Sequence, residues 1–297
     1  MVEGSYLIQS DCLEYLKTLE DDSVDLVLTD PPYFIGFDGG KGWDSQWKTE
    51  EEYLAWCADW TLECIRVLKP NRMLVVWGTL KTETFIKYKL QTSADARLTP
   101  QNEIIWSYNW GGRSQDNFVR KHEYAWCWSK GKKFLFNDAE IRIERKVKKN
   151  MNLEKKLLKE FKDNNPNATK KEIAKHKEEH IDPKTLFAQG TIPTCIWEKN
   201  NHTTSKDFCG WHPTTKNLDV LERLIRGYTN PGDTVLDIFM GSGSTAIAAE
   251  RCGRNYIGCE RDGEYYTKSL ERIRDQNPLF QAMEPTHMEL ETFMQLM

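Results

Sequence analysis

Near the carboxyl end of the chain, Val235 to Phe239 runs straight into Met240-Gly241-Ser242-Gly243-Ser244-Thr245, then an alanine-rich stretch, then Tyr256 to Cys259 ending at Glu260. An apolar run of strand length, a turn with two glycines, a helical stretch and a second apolar run predict a βαβ unit. Strands joined by a helical crossover lie parallel, so this segment commits the chain to an α/β sheet with helices on its faces. Glycine lets the backbone of the turn approach a ligand, and an acid ending the second strand can accept both hydroxyls of a ribose.

Gly241 to Ala246 also matches the dinucleotide fingerprint, which leaves a nicotinamide cofactor open as the ligand. Asp237, inside the strand before the glycines, weighs against it. A carboxylate is repelled by a pyrophosphate and attracted by an amino acid's ammonium. S-adenosylmethionine carries such an ammonium, and a ribose for Glu260.

A second apolar run, Val24 to Thr29, ends in Asp30-Pro31-Pro32-Tyr33. Read as a buried strand, it places the tetrapeptide at a strand's carboxyl end, where open α/β sheets hold their ligands. The prolines fix φ twice and remove two amide donors, leaving a stiff turn whose carbonyls accept. A carboxylate, rigid carbonyls and an aromatic ring suit a planar amino group carried on a ring. Alone, the tetrapeptide is equally readable as a strand closing in a proline turn.

The rest of the chain predicts a mostly parallel sheet. Tyr6 to Gln9 reads as a strand, followed by a helix capped by Ser10 or Asp11. Thr49 and Glu52 form a candidate capping box opening a helix to Leu68, which Lys69, Pro70 and Asn71 end. Met73 to Trp77, Glu103 to Tyr108 and Tyr124 to Trp128 read as strands, with a short helix at Lys81 to Leu90. The glycine-rich stretch Phe34 to Trp47 reads either as a loop that closes over a substrate or as a disordered connection. After Asn137 comes a charge run, Arg142 to Lys149, then an apolar helical face at Leu153, Leu157, Leu158 and Phe161. Thr169 and Glu172 form a further capping box.

Charge separates these regions. The net charge is −4, yet Arg142 to Lys177 holds 13 Lys/Arg against 5 Asp/Glu, about +8, leaving about −12 for the rest. Localised basic charge is what a polyanion-binding face requires. The eight cysteines form no CxxC pair, so neither a metal site nor a disulfide framework is expected. No apolar run reaches the roughly 18 residues of a membrane span, and no signal-peptide pattern opens the chain. A soluble, intracellular protein is expected.

Three stretches together carry a family resemblance: Asp30-Pro31-Pro32-Tyr33, His212-Pro213-Thr214-Thr215-Lys216 and Asp237 to Thr245 (DIFMGSGST). In that order they resemble the β-group amino-methyltransferases of DNA, as does Gln9-Ser10-Asp11-Cys12 near the amino terminus. The resemblance implies a Rossmann-like, seven-stranded, mostly parallel sheet with one antiparallel strand, and S-adenosylmethionine as cofactor. It implies catalytic Asp30, Pro31, Pro32 and Tyr33. Cofactor contacts follow from Asp11 and Cys12, from His212, Pro213, Thr214 and Lys216 at the methionine end, and from Asp237, Phe239, Gly241, Ser242, Gly243 and Glu260. The implied domains are a catalytic half at 1–136, a helical target-recognition insertion at 137–208, a cofactor half at 209–275 and a tail at 276–297. Double-stranded DNA is the implied substrate, with adenine N6 favoured because relatives acting on cytosine N4 often carry serine in place of Asp30. Relatives often dimerise, so a homodimer is an expectation, and a restriction endonuclease partner is left open.

Overall fold

The computed structural model describes residues 4–36, 39–80, 83, 86, 98–108, 118–143, 151–177, 179, 192–199 and 207–276. The chain divides into two compact units, one made of Met1–Asn137 with Cys195–Met297 and the other of Asp138–Thr194.

The first unit is built on one sheet. Its strands are β1 (Tyr6–Gln9), β2 (Val24–Thr29), β3 (Leu68–Gly78), β4 (Leu98–Ser107), β5 (His122–Lys130), β6 (Ile196–Glu198), β7 (Thr234–Asp237) and β8 (Asn255–Glu260). Their spatial order is β1-β8-β7-β2-β3-β5-β4-β6. Every described pairing is parallel except those that β5 makes with β3 and β4, so one strand opposes the rest. The mostly parallel α/β architecture is as the sequence predicts, and the single opposed strand is as the family resemblance implies.

Among the described residues the sheet has eight strands where seven are expected. The eighth is β6, three residues placed in the insertion by the sequence reading, which pair with β4 through Ile105↔Ile196 and Trp106↔Trp197. A strand of this length shows too little alternation to be read from sequence. Burial of Trp197 at the sheet edge anchors it.

Strands in the middle of the sheet are buried on both faces, and β2 is buried along its whole length. Helices α1 (Cys12–Leu16) and α2 (Glu50–Val67) pack on one face, joining Val27, Leu74 and Val76 in a core around Trp60. The helices numbered here α6 (Leu218–Tyr228), α7 (Ser244–Arg251) and α8 (Gly263–Gln276) cover the other, over Leu26, Leu28, Met73 and Val75. Thr49 caps α2 as expected, accepting from the Glu52 N–H at 3.2 Å, but the Glu52 carboxylate reaches back to the Lys48 N–H at 2.8 Å. Helix α2 passes directly into β3, with Asn71 at φ 62° absorbing the irregularity. The predicted helix at Lys81 to Leu90 lies largely outside the described residues, although Glu83 and Ile86 are helical.

The second unit contains α3 (Asp138–Ile141), α4 (Met151–Asn164) and α5 (Lys170–His176). The predicted Thr169–Glu172 capping box is present, with both reciprocal bonds formed. Phe161 of α4 stacks on His176 of α5 at 3.9 Å, closing the helical pair. Most of the charge run Arg142 to Lys149 and most of the tail 276–297 lie outside the described residues.

Candidate functional site

Strands β2 and β7 lie side by side, with Leu26 opposite Val235 and Val27 opposite Leu236. From β2 the chain crosses to β3, and from β7 it crosses to β8, on the opposite side. The connections diverge, so a crevice opens beyond the two carboxyl ends, the topological switch point of an α/β sheet. Asp30 follows β2 and Asp237 ends β7, which brings both acids to the floor of that crevice. A cleft of about 1070 Å³, its solvent-open part included, occupies the place.

Asp237 is buried and its Oδ1 accepts from the Thr29 hydroxyl at 2.7 Å and the Phe239 N–H at 3.1 Å. Burial pushes its carboxyl up to about 6, against the lowering effect of bonds from Thr245, Thr29 and Phe239. Glu260 ties two loops together: Oε2 accepts from the Gly241 N–H and Oε1 from the Asp262 N–H, each at 2.8 Å. Burial raises it to about 7.

Two glycines of the turn are required by close approach. Gly241 has φ +50°, and a Cβ there would stand 2.7 Å from Nε2 of His212. Gly243 has φ +74°, and a Cβ would meet Ile273 of α8 at 3.1 Å. Gly241→Ala is therefore expected to destabilise the protein by about 1–3 kcal/mol by displacing His212. An unchanged thermal midpoint in that variant would show that the ring moves aside freely.

His212 is buried, with its ring 4.6 Å from Tyr265 and stacked on Trp43 at 6.5 Å. Burial and the cations Lys216 and Arg272 push it down to about 3, so it is neutral and its Nδ1 accepts from the Thr214 N–H at 3.3 Å. Asp11 takes the N-cap role, its Oδ1 accepting from the N–H groups of Leu13 at 2.9 Å and Glu14 at 3.4 Å, while also lining the cleft.

The Asp30 turn is held from three sides. The Tyr33 hydroxyl donates to Asp30 Oδ1 at 2.5 Å, and Lys216 donates to Oδ2. Tyr53 of α2 donates to the Pro32 carbonyl at 2.8 Å. Asp44, from the glycine-rich loop, accepts from the N–H groups of Tyr33, Phe34 and Ile35 at 2.6, 2.7 and 2.8 Å. A carboxylate receiving three backbone donors pins the chain that follows the turn, so at Asp44 the loop is neither a free lid nor an unstructured connection.

All the sequence-predicted site residues line this one cleft except Pro213 and Gly243. Gly243 is the N-cap of α7 and supports the turn from behind. Lys216 stands apart from its expected grouping with the methionine end, being paired with Asp30 and, at 3.1 Å, with Glu123 of β5. Sequence reasoning missed Asp44, Glu123, Tyr53 and Arg272. The last is a buried guanidinium that donates to the Ser242 carbonyl at 2.7 Å and the Ser244 hydroxyl at 3.0 Å. Only Asp44 left a signal, as an acid between two tryptophans in a stretch otherwise rich in glycine.

Comparison with known proteins settles the family. A DNA methylase family profile matches residues 24–271. The chain belongs to the N6/N4 DNA methylase family. Among curated relatives, the type II methyltransferase M1.MboII of Moraxella bovis is 30% identical over 277 residues, covering 91% of this chain and 96% of the relative. The DNA adenine methyltransferase YhdJ of Escherichia coli K12 is 29% identical, covering 91% of this chain and 83% of the relative. Among solved structures, a putative DNA modification methylase from Thermus thermophilus, complexed with S-adenosyl-L-methionine, shares the fold with a TM-score of 0.58 at 23% identity, over 92% of this chain and 95% of that one. As a DNA methylase of this family the protein is a methyltransferase acting on DNA, and among its described residues no helix is long and apolar enough to cross a membrane.

Proposed function

We propose that this DNA methylase transfers a methyl group from S-adenosylmethionine to the N6 amino group of a flipped-out adenine. The observation that carries the reading is the convergence of Asp30 and Asp237 at one switch-point cleft. One acid faces a target amine and the other a charged cofactor.

The cleft suits that cofactor. Its lining holds five carboxylates, Asp11, Asp30, Asp44, Asp237 and Glu260, against the two cations Lys216 and Arg261, so it favours a ligand bearing positive charge. Asp237 would hold the ammonium, Glu260 the ribose hydroxyls, Asp11 the adenine, and the His212–Thr214 segment the methionine end beside Gly241. S-adenosylmethionine bound there supplies an electrophilic methyl group. The Thermus thermophilus methylase, complexed with S-adenosyl-L-methionine, supports the assignment.

The protein's own part is to prepare the amine. An exocyclic amine is a poor nucleophile because its lone pair is delocalised into the ring. Bonds from its two N–H groups to Asp30 and to the Pro31 carbonyl would localise that pair on nitrogen. The Pro32 carbonyl already accepts from Tyr53, which favours Pro31, next to Asp30 in the lining of the cleft, as the acceptor of the pair. A carboxylate is a weak base, so Asp30 orients and polarises the amine, and proton loss follows transfer. Positioning contributes most of the rate.

The amine lies inside the duplex, so the base must be flipped out, and the Tyr33 ring is the face on which it stacks, worth about 1–3 kcal/mol. Basic residues of the unit Asp138–Thr194 would contact phosphates and make DNA binding salt-dependent. Adenine is supported by Asp30 in the first motif position and by the adenine methyltransferase named among the relatives. Incubation with labelled S-adenosylmethionine and DNA, then digestion to nucleosides, is expected to place the label in N6-methyl-2′-deoxyadenosine. Label in N4-methyl-2′-deoxycytidine would overturn the base assignment. A homodimer is proposed as well, and light scattering that shows only monomer at micromolar concentration would exclude it.

A further inference from the structure

Both oxygens of the Asp30 carboxylate are engaged within the protein itself. Tyr33 donates to Oδ1, Lys216 donates to Oδ2, and the Lys216 ammonium also lies 3.1 Å from Oε2 of Glu123. Lys216 is buried, and the side chains of Asp30 and Glu123 are only 18% and 25% exposed. The three charges therefore form a triad shielded from water. The Lys216 Nζ lies 5.9 Å from the centre of the Tyr33 ring, the surface on which a flipped base would stack. An amine entering beside Tyr33 competes for the Asp30 carboxylate with the donors already on it, Lys216 at Oδ2 and the Tyr33 hydroxyl at Oδ1.

A buried carboxylate left without a partner is costly, and Lys216 on Asp30 offsets that cost before a base binds. The opposite problem arises when the base arrives. A neutral amine is a weaker partner than an ammonium, and a buried lysine driven off one carboxylate is equally costly unless a second one receives it. Glu123 stands at that place. It projects from β5, the one strand that runs against the rest, and so belongs to a different element from either Asp30 or Lys216.

Resting on the methyltransferase reading above, we propose that Lys216 is a placeholder for the target amino group on Asp30. Glu123 is the positioning residue that takes Lys216 over when the base enters. The triad keeps its charges paired in both states and shifts only which carboxylate holds the ammonium. Lys216 thus acts on the base side of the cleft, through Asp30.

The titratable groups facing the triad come from every element around it. They are Tyr33 on the turn, Tyr53 on α2, Tyr108 just after β4, His212 in the segment before α6 and Asp237 at the end of β7, with the charge of Arg120 before β5 acting on Tyr108. His212 is neutral and the tyrosines Tyr33 and Tyr108 are raised, so Asp30 responds mainly to burial, then to Lys216 and Glu123. Burial raises its carboxyl, Lys216 lowers it and Glu123 raises it.

The two partners should therefore move the acid limb of kcat/KM for DNA in opposite directions at saturating S-adenosylmethionine. Glu123→Gln removes a like charge and leaves Lys216 only Asp30. Its acid limb should fall by about one pH unit, while kcat drops about ten- to a hundredfold because the amine cannot displace the lysine. Lys216→Met leaves two carboxylates together, and its acid limb should rise by about one unit or more. Glu123→Asp keeps the charge and should restore the wild-type limb. If Glu123→Gln does not fold, the Lys216→Met shift and the Glu123→Asp rescue carry the same test. Limbs moving in the same direction, or a Glu123→Gln enzyme with wild-type kcat and pH profile, would overturn the inference while an active wild type keeps the methyltransferase reading. A wild type that transfers no methyl group to DNA overturns both.

Discussion

Asp30→Ala is expected to lower methyl transfer to DNA by about 10³-fold or more while leaving affinity for S-adenosylmethionine within a few-fold of wild type. The carboxylate is the acceptor that holds and polarises the target amine, and the neighbouring acids are committed elsewhere. Asp44 is bonded to backbone N–H groups of Tyr33 to Ile35, and Asp237 accepts from Thr29 and Phe239 beneath the cleft. Removing Asp30 leaves Lys216 still 3.1 Å from Glu123, so its ammonium keeps a carboxylate partner. Single-turnover kinetics with pre-bound cofactor, alongside calorimetry of cofactor binding, separates the two effects. Equal loss of binding and turnover would remove Asp30 from its assigned role.

The second large effect is expected at Asp237. Asp237→Asn keeps an oxygen to accept from Thr29 and Phe239 but loses the charge, so the thermal midpoint should change little. Affinity for S-adenosylmethionine should fall by about 10- to 150-fold, the loss of one charge-assisted hydrogen bond of about 1.5–3 kcal/mol. The same charge gives a pH signature. Burial, offset in part by bonds from Thr245, Thr29 and Phe239, raises the Asp237 carboxyl to about 6. The anion that attracts the cofactor's ammonium is present above that pH and is lost as pH falls through it. Cofactor affinity should thus weaken more steeply below about pH 6 in the wild type than in Asp237→Asn, which keeps only the contribution of Glu260, itself raised to about 7. A wild type with constant affinity from about pH 7 to about pH 5 would contradict the ammonium contact.

These expectations join groups far apart in sequence. Thr29 and Asp237 share a hydrogen bond across 208 positions, and Lys216 reaches Asp30 across 186. Parallel pairing is what makes such distances short, because β2 and β7 run side by side although most of the chain separates them. The buried charges around them cannot be read one at a time. The carboxyls of Asp30, Asp237 and Glu260 are raised by burial and held by donors from other segments, so their ionisation belongs to the assembled cleft.

Local signals were sufficient wherever structure is local. The βαβ unit around Gly241, the Asp30 turn at the end of an apolar run, the Thr49 and Thr169 caps and the single opposed strand all follow from spacing, caps or family order, and all are present. Asp11 could be read as a cap because a cap needs only the next few residues. The sequence by itself determined the sheet class, the two acids at strand ends and the glycines that a close approach demands. Only the tertiary structure decided that Asp44 pins the turn, that Arg272 braces the glycine loop, that Ile196–Glu198 extends the sheet, and that Lys216 stands between Asp30 and Glu123. The physical reason is the same in each case: a hydrogen bond or ion pair between distant segments leaves no periodicity in the chain, and its partner is chosen by packing.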